Sequence, residues 1–133
     1  MKVLVDRLGV KPDSRITLLG DSEPEFVRQL KQCTPHVVKR KVDSEADFIF
    51  FAAEQKDDLD MLAVIRYYLD PKGAVWVIYP KKQSQIRKAD LLKAGRRAGL
   101  ADRKSVRFSD THTALKFVIP AAEQTRQPAH SRT

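Results

Sequence analysis

Residues 47–53 run Asp-Phe-Ile-Phe-Phe-Ala-Ala, and this stretch decides the fold. It is apolar on both of its alternating faces, the pattern of a strand buried near the middle of a parallel sheet. A second two-faced run spans 74–79 (AVWVIY), and a shorter one, Ile16 to Gly20 (ITLLG), precedes both. Lys56 to Leu69 places Leu59, Leu62, Ile65, Arg66 and Leu69 on one side of a helix, and Asp70-Pro71-Lys72-Gly73 supplies the turn back. The three strands are expected as an adjacent parallel centre with cover on both sides.

Working outward, Ser22-Glu23-Pro24-Glu25 carries an N-cap serine, a tolerated first-turn proline and a glutamate three residues on that completes a capping box. Phe26, Val27, Leu30 and Cys33 then share a helical face, and Thr34-Pro35 ends it. Val37 to Val42 is a weak, partly basic strand. Ser84 to Gly99 is a basic helix, and Lys104–Phe108 with Ala114–Ile119 form a hairpin. This order predicts a three-layer, Rossmann-like α/β domain over 1–120, with five or six strands in a mixed sheet. From Asp47 onward it is similar to the second half of class I methyltransferases. Asp47 follows Val42 by only five positions, whereas a parallel crossover usually takes a dozen or more residues. Either an extended connection crosses the sheet end or the second strand pairs differently. Apolar content stops at Pro120, so 121–133 is expected as a disordered tail.

The chain has 133 residues, 42 % apolar and 32 % charged, a globular composition of one-domain size. Its apolar run Phe48–Ala53 falls far short of the roughly 18 residues a membrane span needs. The start meets Asp6 and Arg7 after three apolar residues, so no signal peptide and no membrane partner is expected. The single cysteine, Cys33, excludes an internal disulfide, and a cytoplasmic setting is the expectation. His36, His112 and His130 are scattered, which gives no metal spacing. The net charge of +8 is concentrated. Residues 1–80 hold 12 basic and 13 acidic side chains, whereas 81–104 hold 9 and 2. A concentrated patch of this kind attracts an anionic partner, a nucleic acid or an acidic protein.

Three stretches carry a more specific likeness. They are Leu8-Gly9-Val10-Lys11-Pro12 running into ITLLG, Ala46-Asp47-Phe48-Ile49, and Leu69 to Lys82 (LDPKGAVWVIYPKK). Together with Ala98-Gly99-Leu100 and Ala114–Val118 they resemble a small bacterial family, domain of unknown function 3052, over roughly residues 8–119. The resemblance implies a truncated methyltransferase-like fold in a cytoplasmic bacterial protein and no established activity. Tyr79 replaces the family's second tryptophan, and His112 stands where a tryptophan is common.

The chemistry that a methyltransferase would need is thin. Its first loop normally holds several glycines, but here Gly20-Asp21-Ser22 holds one. Asp21, Glu23 and Glu25 also crowd the following helix start and would repel phosphate there. No cofactor is expected. Asp110 and His112 form either a proton-transfer pair or a hairpin turn that Ser109-Asp110-Thr111 caps locally. Cys33 is expected in the core. Trp76 and Tyr79 fall on opposite faces of their strand, with Trp76 as core and Tyr79 as the contact residue. Gly20, Asp21, Tyr79, Lys81 and Lys82 are the candidate ligand set, because open α/β sheets bind at the carboxyl ends of their strands. On the basic helix Leu91, Leu92, Ala94, Gly95 and Ala98 share one arc. Lys93, Arg96 and Arg97 share the other with Asp90, and Lys81, Lys82, Arg103 and Lys104 flank the ends. That face is a docking site for polyanions or a solvated surface. The leading reading is a non-catalytic binding or regulatory domain on a reduced methyltransferase-like scaffold. The alternatives are a nucleic-acid or other polyanion binder through 81–104, and a degenerate S-adenosylmethionine-dependent methyltransferase.

Overall fold

The computed structural model describes residues 4–20, 22–39, 46–82 and 86–121. Six strands build one sheet: β1 (Ile16–Leu19), β2 (Val37–Lys39), β3 (Phe48–Ala52), β4 (Ala74–Pro80), β5 (Ala101–Arg107) and β6 (His112–Val118). Their spatial order is β2-β1-β3-β4-β6-β5. β1, β3 and β4 are adjacent and parallel, with Ile16 opposite Phe48 and Phe48 opposite Ala74. β6 runs antiparallel to β4 over its whole length, from Ala74↔Val118 to Pro80↔His112, and β5 closes that edge. The α-helices among the described residues are α1 (Leu4–Arg7), α2 (Pro24–Cys33), α3 (Met61–Tyr68) and α4 (Lys88–Arg97).

Alternation along the strands divides the core. Ile49, Phe51, Val75, Val77, Leu115 and Phe117 pack with Leu62, Ile65 and Leu91 of α3 and α4. Leu18, Phe50, Trp76 and Ala114 pack with Val5, Phe26 and Leu30 of α1 and α2. Every residue of β4 is buried, which is what a run apolar on both faces demands between two helical layers. The small residue Gly95 lets α4 settle on β6, because a Cβ there would lie 2.3 Å from Phe117 Cε1.

Several boundaries depart from the sequence reading. β2 is three residues long, parallel to β1 and at the sheet edge. Its brevity lengthens the stretch of chain before β3. Eight residues separate Lys39 from Phe48, and eight extended residues span up to about 26–29 Å against the roughly 10 Å of a three-residue strand. Residues 40–45 themselves lie outside the described residues. Lys56–Leu69 is a 3₁₀ turn, Lys56–Asp60, followed by α3, because the Asp58 carboxylate accepts the N–H groups of Glu54 and Gln55 and tightens the entry. The basic helix is α4 alone, with Ile86 buried just before it. β5 starts three residues earlier than expected. The capping box at Ser22 is not formed. Pro24 takes the first helical position, so the cap falls on Glu23, and Glu25 instead pairs with Arg28. The expected tail, apart from Ala121, lies outside the described residues. No helix among the described residues is long and apolar enough to cross a membrane.

Candidate ligand pocket at the carboxyl edge of the sheet

β3 ends at Ala52, and the Ala53 N–H still donates to Ile78 O, 2.9 Å away, before the chain turns out at Glu54. The Asp58 carboxylate holds that turn. Across β4, Pro80 pairs with His112, so the hairpin between β5 and β6 stands at the same end of the sheet. Glu54 and His112, 58 positions apart, thereby meet, with Oε2 and Nε2 3.1 Å from each other. A carboxylate only accepts, so Nε2 carries the proton, and in the neutral ring Nδ1 accepts from the Thr111 hydroxyl at 2.8 Å. The Ser109 hydroxyl accepts the N–H groups of Thr111 and His112 at 3.3 and 3.1 Å. The imidazole is therefore held at both nitrogens on a turn that is itself pinned.

Beneath this pair lies a cavity of about 270 Å³ lined by Ser22, Glu23, Phe26, Ala52, Glu54, Ile78, Phe108 and His112. Its floor is rigid. The Phe26 ring meets Phe50 and Phe108 edge to face, with centroids 5.2 and 4.8 Å apart. The pocket thus combines an apolar floor with a carboxylate and an oriented imidazole at its rim.

The residues singled out from sequence are distributed differently. Asp110 pairs with Arg107 rather than with His112, so the proton-transfer reading of Asp110 is corrected. The self-capped turn is formed, through Ser109. Glu54 was missed, although its place directly after the central strand was the signal for it. Gly20 sits at φ +84°, and a Cβ there would lie 2.8 Å from Ala52 O, so its freedom serves the approach of β1 to β3. Gly20 also borders a separate depression with Leu19, Phe51, Asp57, Asp58, Asp60, Met61 and Val64. Asp21 lies outside the described residues. Trp76 and Tyr79 face opposite sides as expected, but Tyr79 is 6 % exposed within the α3/α4 core. Burial pushes its phenol pKa up, and its role here is packing rather than surface contact. Trp76 is fully buried, and its Nε1–H donates to Leu8 O at 3.2 Å. Cys33 packs against the α1/α2 core but remains partly exposed. Lys81 and Lys82 are exposed beyond β4, and the Lys81 N–H donates to Thr111 O at 2.9 Å, which ties the hairpin turn down.

The basic segment also divides. Lys93, Arg96 and Arg97 are exposed on α4, where Arg97 borders a depression shared with Asp60. Arg103 and Lys104 are exposed within β5, the strand that the sequence reading began at Lys104. Among the described residues no three His, Cys, Asp or Glu side chains could hold a metal ion.

The sequence profile of the family described as "Protein of unknown function (DUF3052)" matches residues 5–121. No curated protein matches the chain significantly. Solved structures do resemble it. A SAM-dependent methyltransferase from Aquifex aeolicus aligns with a TM-score of 0.68 at 13 % identity, over 88 % of this chain and 88 % of that one. A TehB-like SAM-dependent methyltransferase from Corynebacterium glutamicum aligns at 0.57 and 16 %, over 88 % and 85 %. A ribosomal protein L11 methylase from Lactobacillus delbrueckii subsp. bulgaricus aligns at 0.55 and 12 %, over 86 % and 74 %. At these identities the likeness is one of fold, a Rossmann-like methyltransferase sheet.

Proposed function

The chain belongs to the DUF3052 family of unknown function, and we propose that it acts as a non-catalytic, regulatory binding domain taking a small amine-bearing molecule in the Glu54–His112 pocket. The observation that carries this reading is that pair. Two residues distant in sequence meet over an apolar floor at the carboxyl edge of the parallel strands, where open α/β sheets take their ligands. Phe26, Ile78 and Phe108 offer contact to a flat or aliphatic body, and the carboxylates of Glu23 and Glu54 accept from its N–H groups. A cavity of about 270 Å³ limits that body to a small molecule.

The same geometry leaves the Ser22 hydroxyl without a base. A general base for the Ser22 hydroxyl needs an available ring nitrogen. Both nitrogens of His112 are engaged, by Glu54 and by Thr111.

The structural neighbours named as SAM-dependent methyltransferases bring S-adenosylmethionine into question, and the described residues do not fit it. The glycine after β1 is committed to contact with Ala52. Among the described residues β2 ends on exposed Lys39, at the edge where folds of this kind hold a ribose diol with a carboxylate. No methyl-transfer step is derived for this chain.

Titration of the full chain with adenine, benzamidine and cadaverine, followed through the His112 imidazole resonances, tests the reading. At least one probe is expected to move those resonances saturably, with E54Q weakening its binding about tenfold, roughly 1.4 kcal/mol. The reading fails if none does so at millimolar concentration, or if E54Q binds as well as the wild type. S-adenosylmethionine is expected to raise the melting temperature by no more than about two degrees. A ligand at 100 times its dissociation constant would add about 2.7 kcal/mol and several degrees, and that result would reinstate the methyltransferase reading.

A further inference from the structure

At the opposite end of the sheet β5 and β6 fall out of step. Ala101 and Asp102 pair with Val118 and Phe117, and Ser105 to Arg107 pair with Leu115 to Thr113. Between those two registers Arg103 and Lys104 together oppose the single residue Lys116. This is a β-bulge, a device that re-aims side chains and recurs near functional sites. Leu115 and Phe117 enter the α3/α4 core, so Lys116 faces the other side of the sheet. There its ammonium lies 5.9 Å from the centroid of the Trp76 ring.

Like charges placed opposite one another in a ladder are destabilising, yet three cations gather at this step. Burial, and then the charges of Lys104 and Arg103, hold the Lys116 ammonium below its ordinary pKa. Among the described residues none of the three forms an ion pair, although Arg103 Nη1 donates to Asp102 O at 3.3 Å. Lys116 also borders a depression of about 380 Å³ shared with Lys11 and Lys72 and with the carboxylates of Asp13 and Asp47. The Asp47 carboxylate is engaged by the Arg15 N–H at 2.9 Å. Exposed cations on an edge strand do protect against edge-to-edge pairing. That role explains Arg103, Lys104 and the bulge itself, but not a third cation set against them from the inner strand β6.

We propose that Arg103, Lys104 and Lys116 form an anion site that takes a phosphate group at the bulge. A bound phosphate would neutralise the mutual repulsion that the register creates, with Arg103 offering paired N–H donors and the two lysines point charges. The site shares no residue with the Glu54–His112 pocket and does not depend on it. It lies at the amino ends of the parallel strands, the end opposite to where this architecture normally binds ligands. The phosphate is either part of a small phosphorylated molecule or part of a nucleic-acid backbone.

Trp76 is the chain's single tryptophan, so its fluorescence reports on Lys116. Inorganic pyrophosphate and a mixed-sequence DNA duplex are each titrated into the full chain at low salt. A saturable change in Trp76 emission is expected with at least one of them. Pyrophosphate alone identifies the small-molecule source. DNA, with a log–log salt slope of about −2.7 for three phosphate contacts, identifies the backbone. R103Q/K104Q keeps the Lys116–Trp76 contact, and therefore the reporter, while its affinity should fall at least tenfold. K116M should abolish the response. The proposal is overturned if neither probe changes the emission at millimolar concentration, or if R103Q/K104Q responds like the wild type.

Discussion

The two ends of the sheet treat charge in opposite ways. At the carboxyl end charges close on one another. His112 is held between Thr111 and Glu54, Asp110 pairs with Arg107, and Asp58 caps the turn that presents Glu54. At the amino end the bulge sets Arg103 and Lys104 against Lys116. The first end is built on aromatic core, and the second on side chains that contribute little to the core. Paired charges over a rigid floor fix a geometry. Unpaired like charges retain a repulsion that a ligand can relieve.

The largest expected effect tests whether the two ends really differ in this way. Phe26 is 3 % exposed and touches both Phe50 and Phe108. F26A should therefore destabilise the chain by about 3–5 kcal/mol in urea unfolding, as large-to-small changes of buried aromatics do. K116M should cost no stability at neutral pH and low salt. The sign follows from linkage. The folded state holds the Lys116 proton less tightly than the unfolded state, so charging this lysine opposes folding at neutral pH. The advantage of K116M should shrink as pH climbs through the depressed folded pKa toward the ordinary lysine value near 10.5. A loss from K116M comparable with that from F26A would place Lys116 in the structural framework and erase the contrast.

How far the sequence anticipates these two ends depends on the range of the interactions. DFIFFAA, AVWVIY and ITLLG are legible as the parallel centre because burial on both faces writes itself into every consecutive residue. The closing hairpin is legible for a related reason, since its strands are close in sequence. The Glu54–His112 meeting is not, because it depends on β6 lying beside β4 with Pro80 opposite His112, a register that no local pattern encodes. The bulge is hidden for the same reason. In sequence Lys104 reads as the start of a strand and Arg103 as the flank of the basic helix, and only pairing with β6 sets both against Lys116. The missing cap at Ser22 has a local cause. Serine and proline competed for the helix start, and proline's fixed φ decided it one residue later.

A smaller effect should separate the ends through the strand they share. Phe117 and Lys116 are neighbours on β6 and face opposite sides, and Gly95 lies directly under the Phe117 ring. G95A gains about 1 kcal/mol of helix propensity. It must nevertheless displace a ring that is 1 % exposed, so a net loss of about 1–2 kcal/mol is expected, within the usual cost of overpacking. The displacement falls near the end of β6, beside the bulge, and not on its start at His112. The phosphate response at the bulge should weaken, while the His112 resonances keep their wild-type positions. Equal disturbance at both ends would mean that β6 moves as a rigid unit and that the two sites are mechanically coupled.

The smallest effect concerns α4, which carries the other cations of the basic segment. Lys93, Arg96 and Arg97 are exposed, and substitutions at such positions usually change stability by no more than about 0.5 kcal/mol each. In K93E/R96E/R97E two terms oppose each other. The mutual repulsion of three cations within a little over one helical turn is removed, and negative charge is placed near the helix carboxyl end, which the macrodipole disfavours by about 0.3–1 kcal/mol per site. The melting temperature should therefore fall by only a few degrees. The more informative readout is the salt dependence of DNA affinity. Phosphates held only at the bulge leave the log–log slope near −2.7 in this variant, because the helix and Lys116 serve opposite faces of the sheet. A slope reduced toward zero, with the Trp76 response lost as well, would move the polyanion surface onto α4 and leave Arg103 and Lys104 as guards of an exposed edge.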